Sequence, residues 1–315
     1  MGTLIGHVAP GFGFLFIGLW HLFNHTKLYA LNPSSYSASP WFPSSKIRYL
    51  ELYLIMVGSW ASIAMELFIG PVKHQPFDDD GTIPSNHLHN FEHATISLSF
   101  FIYATLAIVL DRMKPKAHYE LVQLIGAFAF SQQFLLFHLH SADHLGVEGQ
   151  YHLLLQVVIL VSLVTTLMGI TYTKSFLVGF IRSLSICFQG AWFVFMGFML
   201  WTPGLIPKGC FLNLEVGHLV VRCRSDEALH RAKSLVNLQF SWFLAMSVVL
   251  AMVFYLGLLR IYPEKVDYWP LEKEDEDGSQ DLESQKRNNS NFEESKSFLP
   301  MGKGRSRRTA LEMER

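Results

Sequence analysis

The chain has 315 residues, of which 50% are hydrophobic and 16% charged, with a net charge of −1. A soluble domain carries about a quarter charged residues, so the deficit excludes an ordinary soluble protein. No basic face is evident, so no nucleic-acid partner is expected, and Cys187, Cys210 and Cys223 lack the spacing of a disulfide scaffold or a zinc finger.

Seven stretches reach the roughly 20 apolar residues that a membrane-crossing helix needs: 4–24, 49–70, 88–110, 119–141, 150–171, 176–201 and 235–260. The first has neither a basic leader nor a small-residue cleavage site, so it reads as a helix and not as a signal peptide. Residues 27–48, rich in Pro and Ser, read as a polar connection. HQPFDDDGTIPSN (74–86) reads as a loop and DRMKPK (111–116) as a basic turn. Residues 202–234 read as the longest internal loop, with a short amphipathic helix near 225–234. The expected fold is all-α: a seven-helix membrane domain over 1–261 and a polar, disordered cytosolic tail over 262–315. That tail holds 23 of the 51 charged side chains and almost nothing apolar to bury. Cytosolic partners are expected for it, and membrane lipid for the rest.

Lys27, Lys46, Arg48, Arg112, Lys114 and Lys116 cluster in two connections on one side, whereas the loops between them carry few basic residues. By the positive-inside rule the N-terminus is then extracytoplasmic and the tail cytosolic, in the endomembrane system or plasma membrane. Loop 202–234 dissents, with five basic residues on the outer side. An oxidising outer side would let Cys210 and Cys223 pair.

On that topology the ionisable residues gather at one end. His7 opens helix 1, Glu66 lies near the end of helix 2, and His87, His89, Glu92 and His93 begin helix 3. HLHSADHLGVEGQYH (138–152) adds His138, His140, Asp143, His144, Glu148 and His152 at the junction of helices 4 and 5. His89, Glu92 and His93 are spaced i, i+3, i+4 on one helical face. His140 and His144 share a face if helix 4 runs on to Gly146 as its C-terminal cap. Eight of the fourteen histidines fall between residues 87 and 152.

Imidazoles and carboxylates on facing helices are the usual ligands of transition metals, and ionisable groups inside a membrane are costly unless they serve a function. The expected metal ligands are His89, His93, His140, His144 and His152, holding a divalent transition metal: zinc first, then iron or copper. Glu66, Glu92 and Asp143 are the candidate general bases of a metal-dependent intramembrane hydrolase. Glu66, a carboxylate in an apolar run, demands a partner, and His93 or His140 is expected. Each histidine also has a plain reading as an interfacial or hydrogen-bonded structural residue. His21 and His25, beside Trp20, read as an interfacial belt on the other side. A haem electron carrier would need facing histidines at both levels and is the weaker alternative, along with a proton or metal transporter and a non-enzymatic scaffold.

LFHLHSADHLGVEGQYHLLLQ, FEHATISLSFF and GHVAPGFGFLFIGLWH together resemble the plant branch of the transmembrane protein 45 family over about residues 1–260. The resemblance implies a seven-helix integral membrane protein, with some plant members labelled as stress responsive. It implies no reaction and assigns no role to the motif histidines His93, His138, His140 and His152.

Overall fold

The computed structural model describes residues 3–71, 74–139, 146–215 and 218–263; all of them fall within one compact unit, Met1–Val266. The tail read as disordered, from residue 264 on, lies outside the described residues, as do His140, Asp143 and His144. Among the described residues, seven helices are long and apolar enough to cross a membrane, which makes this a multi-pass membrane protein. They are α1 (Leu4–Leu31), α2 (Leu50–Ala64, prolonged by a π-helical turn Met65–Ile69), α3 (Leu88–Met113), α4 (His118–His138), α5 (Val147–Thr171), α6 (Phe176–Trp201) and α7 (Asp226–Ile261). Side-chain caps start several of them. The Thr3 hydroxyl accepts from the Gly6 N–H, Ser175 from Val178 and Ser225 from Ala228, each taking up an N–H that the helix cannot use.

The seam between α1 and α6 organises the bundle. Gly11 and Gly18 of α1 repeat at seven residues, and so do Ser183, Gly190 and Gly197 of α6. A Cβ on Gly18 would strike the Cys187 backbone, and one on Gly190 the Leu15 backbone. Lipid supplies no hydrophobic drive for helices to associate, so close backbone approach through small residues is how such helices hold together. The helices run antiparallel. His7 therefore lies against Gly197 at what we call the upper end, and His25 against Gly179 at the lower end. Around α6, the aromatic core of Phe188, Trp192 and Phe193 joins Tyr151 of α5 and Phe240 and Phe243 of α7.

Several boundaries depart from the sequence reading. Residues 226–234 are not a separate amphipathic helix but the first turns of α7. The preceding segment is a β-hairpin, β1 (Cys210–Glu215) against β2 (His218–Cys223), with Cys210 opposite Cys223 and the two joined as a disulfide. Val221 of β2 is buried in one core cluster with Leu200 and Val236, while β1 is half-buried without strict alternation. The hairpin roofs the upper end, where the Trp201 indole donates to the Leu219 carbonyl. The connection after α1 is not a solvated loop either. Tyr36, Ala38, Trp41 and Phe42 are buried, and the Ala38 N–H is bonded to the Thr173 carbonyl. α4 ends at His138 with Leu139 as its cap, and Gly146 caps the start of α5 and not the end of α4.

Candidate functional site

At the upper end, α1 and α5 bring two imidazoles face to face. His7 and His152 are both buried, and their Nε2 atoms lie 3.4 Å apart. The Nδ1–H of His7 donates to the Thr3 carbonyl at 3.1 Å, which leaves the Nε2 lone pair pointing at His152. A carboxylate oxygen of Glu148, one turn before His152, completes a group whose three ligand atoms all lie within 4.8 Å of one another. Aromatic rings wall the pair: Trp201 at 4.5 Å and Phe193 at 6.1 Å from His7, and Phe137 at 5.5 Å from His152.

Glu66 stands beside this group, within electrostatic reach of His7. It projects from the π-helical turn that ends the second span, a distortion that recurs at functional sites because it re-aims one side chain. Asn90 donates to one carboxylate oxygen at 2.7 Å, and His93 meets the other at 3.3 Å. His93 is one of the two partners expected for Glu66. His89 and Glu92 share the half-buried first turns of α3, with the His89 ring 6.4 Å from that of His93. His138 is exposed and its Nδ1 lies 3.3 Å from the Gln156 amide oxygen. His7 and Glu148 were noted at this end but not counted among the ligands. Their absence from that set reflects distance in sequence: His7 and His152 are 145 residues apart and meet only because the glycine seam sets the height of α1.

The donor set suits a transition metal. Tetrahedral zinc with nitrogen ligands at about 2.0–2.1 Å separates two imidazole nitrogens by about 3.3–3.4 Å. The His7–His152 spacing matches that edge and is long for a hydrogen bond. Three protein ligands with a fourth position open is also the pattern of catalytic zinc sites.

The lower end holds a second buried network, and His21 and His25 belong to it instead of to an interfacial belt. Glu51 receives three hydrogen bonds: Trp20 Nε1 at 3.1 Å, His21 Nε2 at 2.7 Å and the Phe42 N–H at 2.9 Å. Arg182, buried on α6, donates to the Gln123 amide oxygen at 2.6 Å, the Ser39 carbonyl at 2.6 Å and His25 Nε2 at 3.3 Å. Because Nε2 of His25 accepts, its Nδ1–H must donate to the Tyr36 hydroxyl, 2.7 Å away. The sequence reading missed Glu51, Arg182, Gln123 and Tyr36. Arg182 had a usable signal: a lone cation in FLVGFIRSLSICFQG cannot face lipid. Outside the spans, Arg48 makes two-pronged contact with Asp111 at 2.9–3.0 Å, and that carboxylate pushes the guanidinium's pKa up.

Residues 119–256 match a family model. It describes a family of unknown function (DUF716), the domain of the transmembrane protein 45 proteins. The match runs from α4 into α7 and so contains Glu148, His152 and Arg182, while His7, Glu66, His93 and Glu51 lie before it. It assigns no activity to any of these residues.

Proposed function

We propose that the protein is a transition-metal protein of the membrane, with zinc the favoured ion, bound by His7, His152 and Glu148 at the extracytoplasmic end of the bundle. The observation that carries this reading is the convergence of three ligand atoms, from α1 and α5, within 4.8 Å of one another. His140 and His144, which lie outside the described residues, are further candidate ligands from the sequence, with His89 and His93 on α3. The 3.4 Å spacing suits a bent pair of metal–nitrogen bonds. An in-line axial pair, as haem requires, would hold the nitrogens about 4 Å apart.

The chemistry that fits is hydrolysis of an ester or amide bond at the outer leaflet. His7, His152 and Glu148 would hold a divalent ion, which would supply Lewis-acid activation of water at neutral pH. Glu66, oriented by Asn90 and His93, would serve as general base, and Glu92 and Asp143 are the alternative bases. Membership of the plant branch of the transmembrane protein 45 family is part of this proposal, supported by LFHLHSADHLGVEGQYHLLLQ and FEHATISLSFF.

Two features support the orientation. The basic connections after α1 and α3 share the lower end, and the disulfide-closed hairpin stands at the upper end, where an oxidising compartment keeps it closed. The dissenting loop is partly neutralised, since Arg222 pairs with Glu215 at 2.6 Å. Elemental analysis of protein purified without chelator tests the metal reading. About one zinc per chain is expected, lost in His7→Ala and His152→Ala; metal-free wild-type protein would refute it.

A further inference from the structure

Between the two networks the bundle should be dry, yet it holds polar atoms with no partner. Among the described residues, buried side-chain atoms without a hydrogen bond are Nδ1 of His21, Oγ1 of Thr26, Nε2 of Gln123, Nε of Arg182, Oε1 of Gln133, both amide atoms of Gln189, and both ring nitrogens of His87. Those of His21, Thr26, Gln123 and Arg182 lie at the lower network, and those of Gln133 and Gln189 stand above it on α4 and α6. Gln123 and Arg182 are bonded to each other at the lower network. From that level Gln133 stands ten residues up α4, about 15 Å, and Gln189 seven residues up α6, about 10 Å. The two ladders therefore rise side by side to mid-membrane. Ser162 and Ser185, bonded at 2.8 Å, add buried hydroxyls between these levels. Above them Gln156 and His138 continue the polar line to the upper face.

An unpaired amide in a lipid-embedded core costs several kcal/mol unless water satisfies it. One orphan is an accident of packing; seven, reaching from the lower network to Gln133 and Gln189 between the Gln123–Arg182 and Phe137–Phe193 contacts of α4 and α6, call for a common partner. We propose that Gln123, Arg182, Gln133 and Gln189 anchor a file of waters through the bundle, and that this file conducts protons across the membrane.

His21 is the acceptor at the lower end. Its Nε2–H is engaged by Glu51, which leaves the Nδ1 lone pair free. A proton arriving at Nδ1 forms an imidazolium paired with the Glu51 carboxylate; the Nε2 proton then passes to Glu51 and from it to water at the lower face, and return of the ring to its starting tautomer completes the cycle. Only N–H and O–H bonds form and break, and no electron moves. The charged and titratable groups packed around this dyad are Arg182, His25, Tyr36 and Tyr103, with Trp20 as a further donor.

A gate lies at the height of Gln133 and Gln189. Phe14, Phe100, Phe130, Phe137 and Phe193, from four helices, meet ring to ring at 5.4–6.1 Å, with Phe137 and Phe193 one turn above the two glutamines and Phe130 one turn below Gln133. An apolar constriction of this kind stops conduction by excluding water until it widens.

The inference does not depend on the metal site. Full-length protein is reconstituted into liposomes holding a pH-sensitive dye, and proton entry driven by a potassium-diffusion potential is followed with chelator and again with zinc. Wild type is expected to acidify the vesicles faster than empty liposomes. Gln189→Leu and Gln133→Leu each remove a water anchor and are expected to slow the flux about tenfold, the kinetic equivalent of one lost hydrogen bond. Phe100→Ala is expected to speed it. Wild type no faster than empty liposomes overturns the proposal, as do leucine variants that are folded and conduct like wild type. Flux from protein that binds none of the added zinc would refute the metal reading and leave this one standing; bound zinc with no flux in either arm would do the reverse.

Discussion

The two ends of the bundle are built from the same residue types and do opposite things with them. At the lower end Glu51 and His25 spend their polar atoms on fixed protein partners, and a buried arginine ties three segments together. At the upper end two imidazole nitrogens and a carboxylate oxygen point at one another across a gap that suits an ion. Counting histidines does not distinguish a clamp from a binding site. What distinguishes them is what the ring nitrogens meet: His25 Nε2 meets the Arg182 guanidinium, whereas Nε2 of His7 meets Nε2 of His152.

That contrast predicts an order of effects. Arg182→Leu should be the most damaging substitution, because it strands the Gln123 oxygen, the Ser39 carbonyl and His25 Nε2 and removes the cation that balances Glu51. Breaking such a buried set costs about 3–5 kcal/mol, seen as a large fall in thermal unfolding temperature in detergent. Zinc content per folded chain should not change. Next comes the roof. Cys210→Ser with Cys223→Ser opens a short closed loop and should cost about 2–4 kcal/mol, and the wild-type thiols should resist alkylation until reduced. Asn90→Leu removes a charge-assisted bond to Glu66 and should cost about 1.5–3 kcal/mol, with hydrolytic activity falling more than metal content. His152→Ala should cost little stability but lower zinc affinity more than about tenfold, the reverse of the arginine result.

The smallest effect concerns the roof's ion pair. Arg222 beside Glu215 holds that carboxyl's pKa down at about 2. A depressed carboxylate pKa contributes stability above the unfolded value, near 4.5, that is lost as pH falls toward 2. Glu215→Gln and wild type should therefore differ slightly at pH 6 and converge near pH 2 in hairpin amide exchange.

The spans were legible because 20 apolar residues have few other homes, and the gathering of ionisable residues at one end followed from alternating loop charge. The hairpin was not, because two six-residue strands inside a polar, basic stretch carry too little alternation to outweigh a loop reading. The buried connection was also hidden. Its Pro and Ser content pointed to solvent, while Tyr36, Trp41 and Phe42, the residues that pull it under the lower end, were set aside. In the site, Glu66 with His93 followed from the cost of a bare carboxylate, a local argument. His7 with His152 needed the height of α1 on α6, which the seven-residue glycine repeat encodes but which only packing reveals.

The most direct test of the account is an X-ray absorption spectrum at the zinc edge of wild-type protein, beside His7→Ala. The account predicts a four-coordinate ion with imidazole and carboxylate scattering and no sulfur, and one imidazole fewer in the variant. A spectrum unchanged by His7→Ala, or no zinc edge above background in wild type, would contradict it.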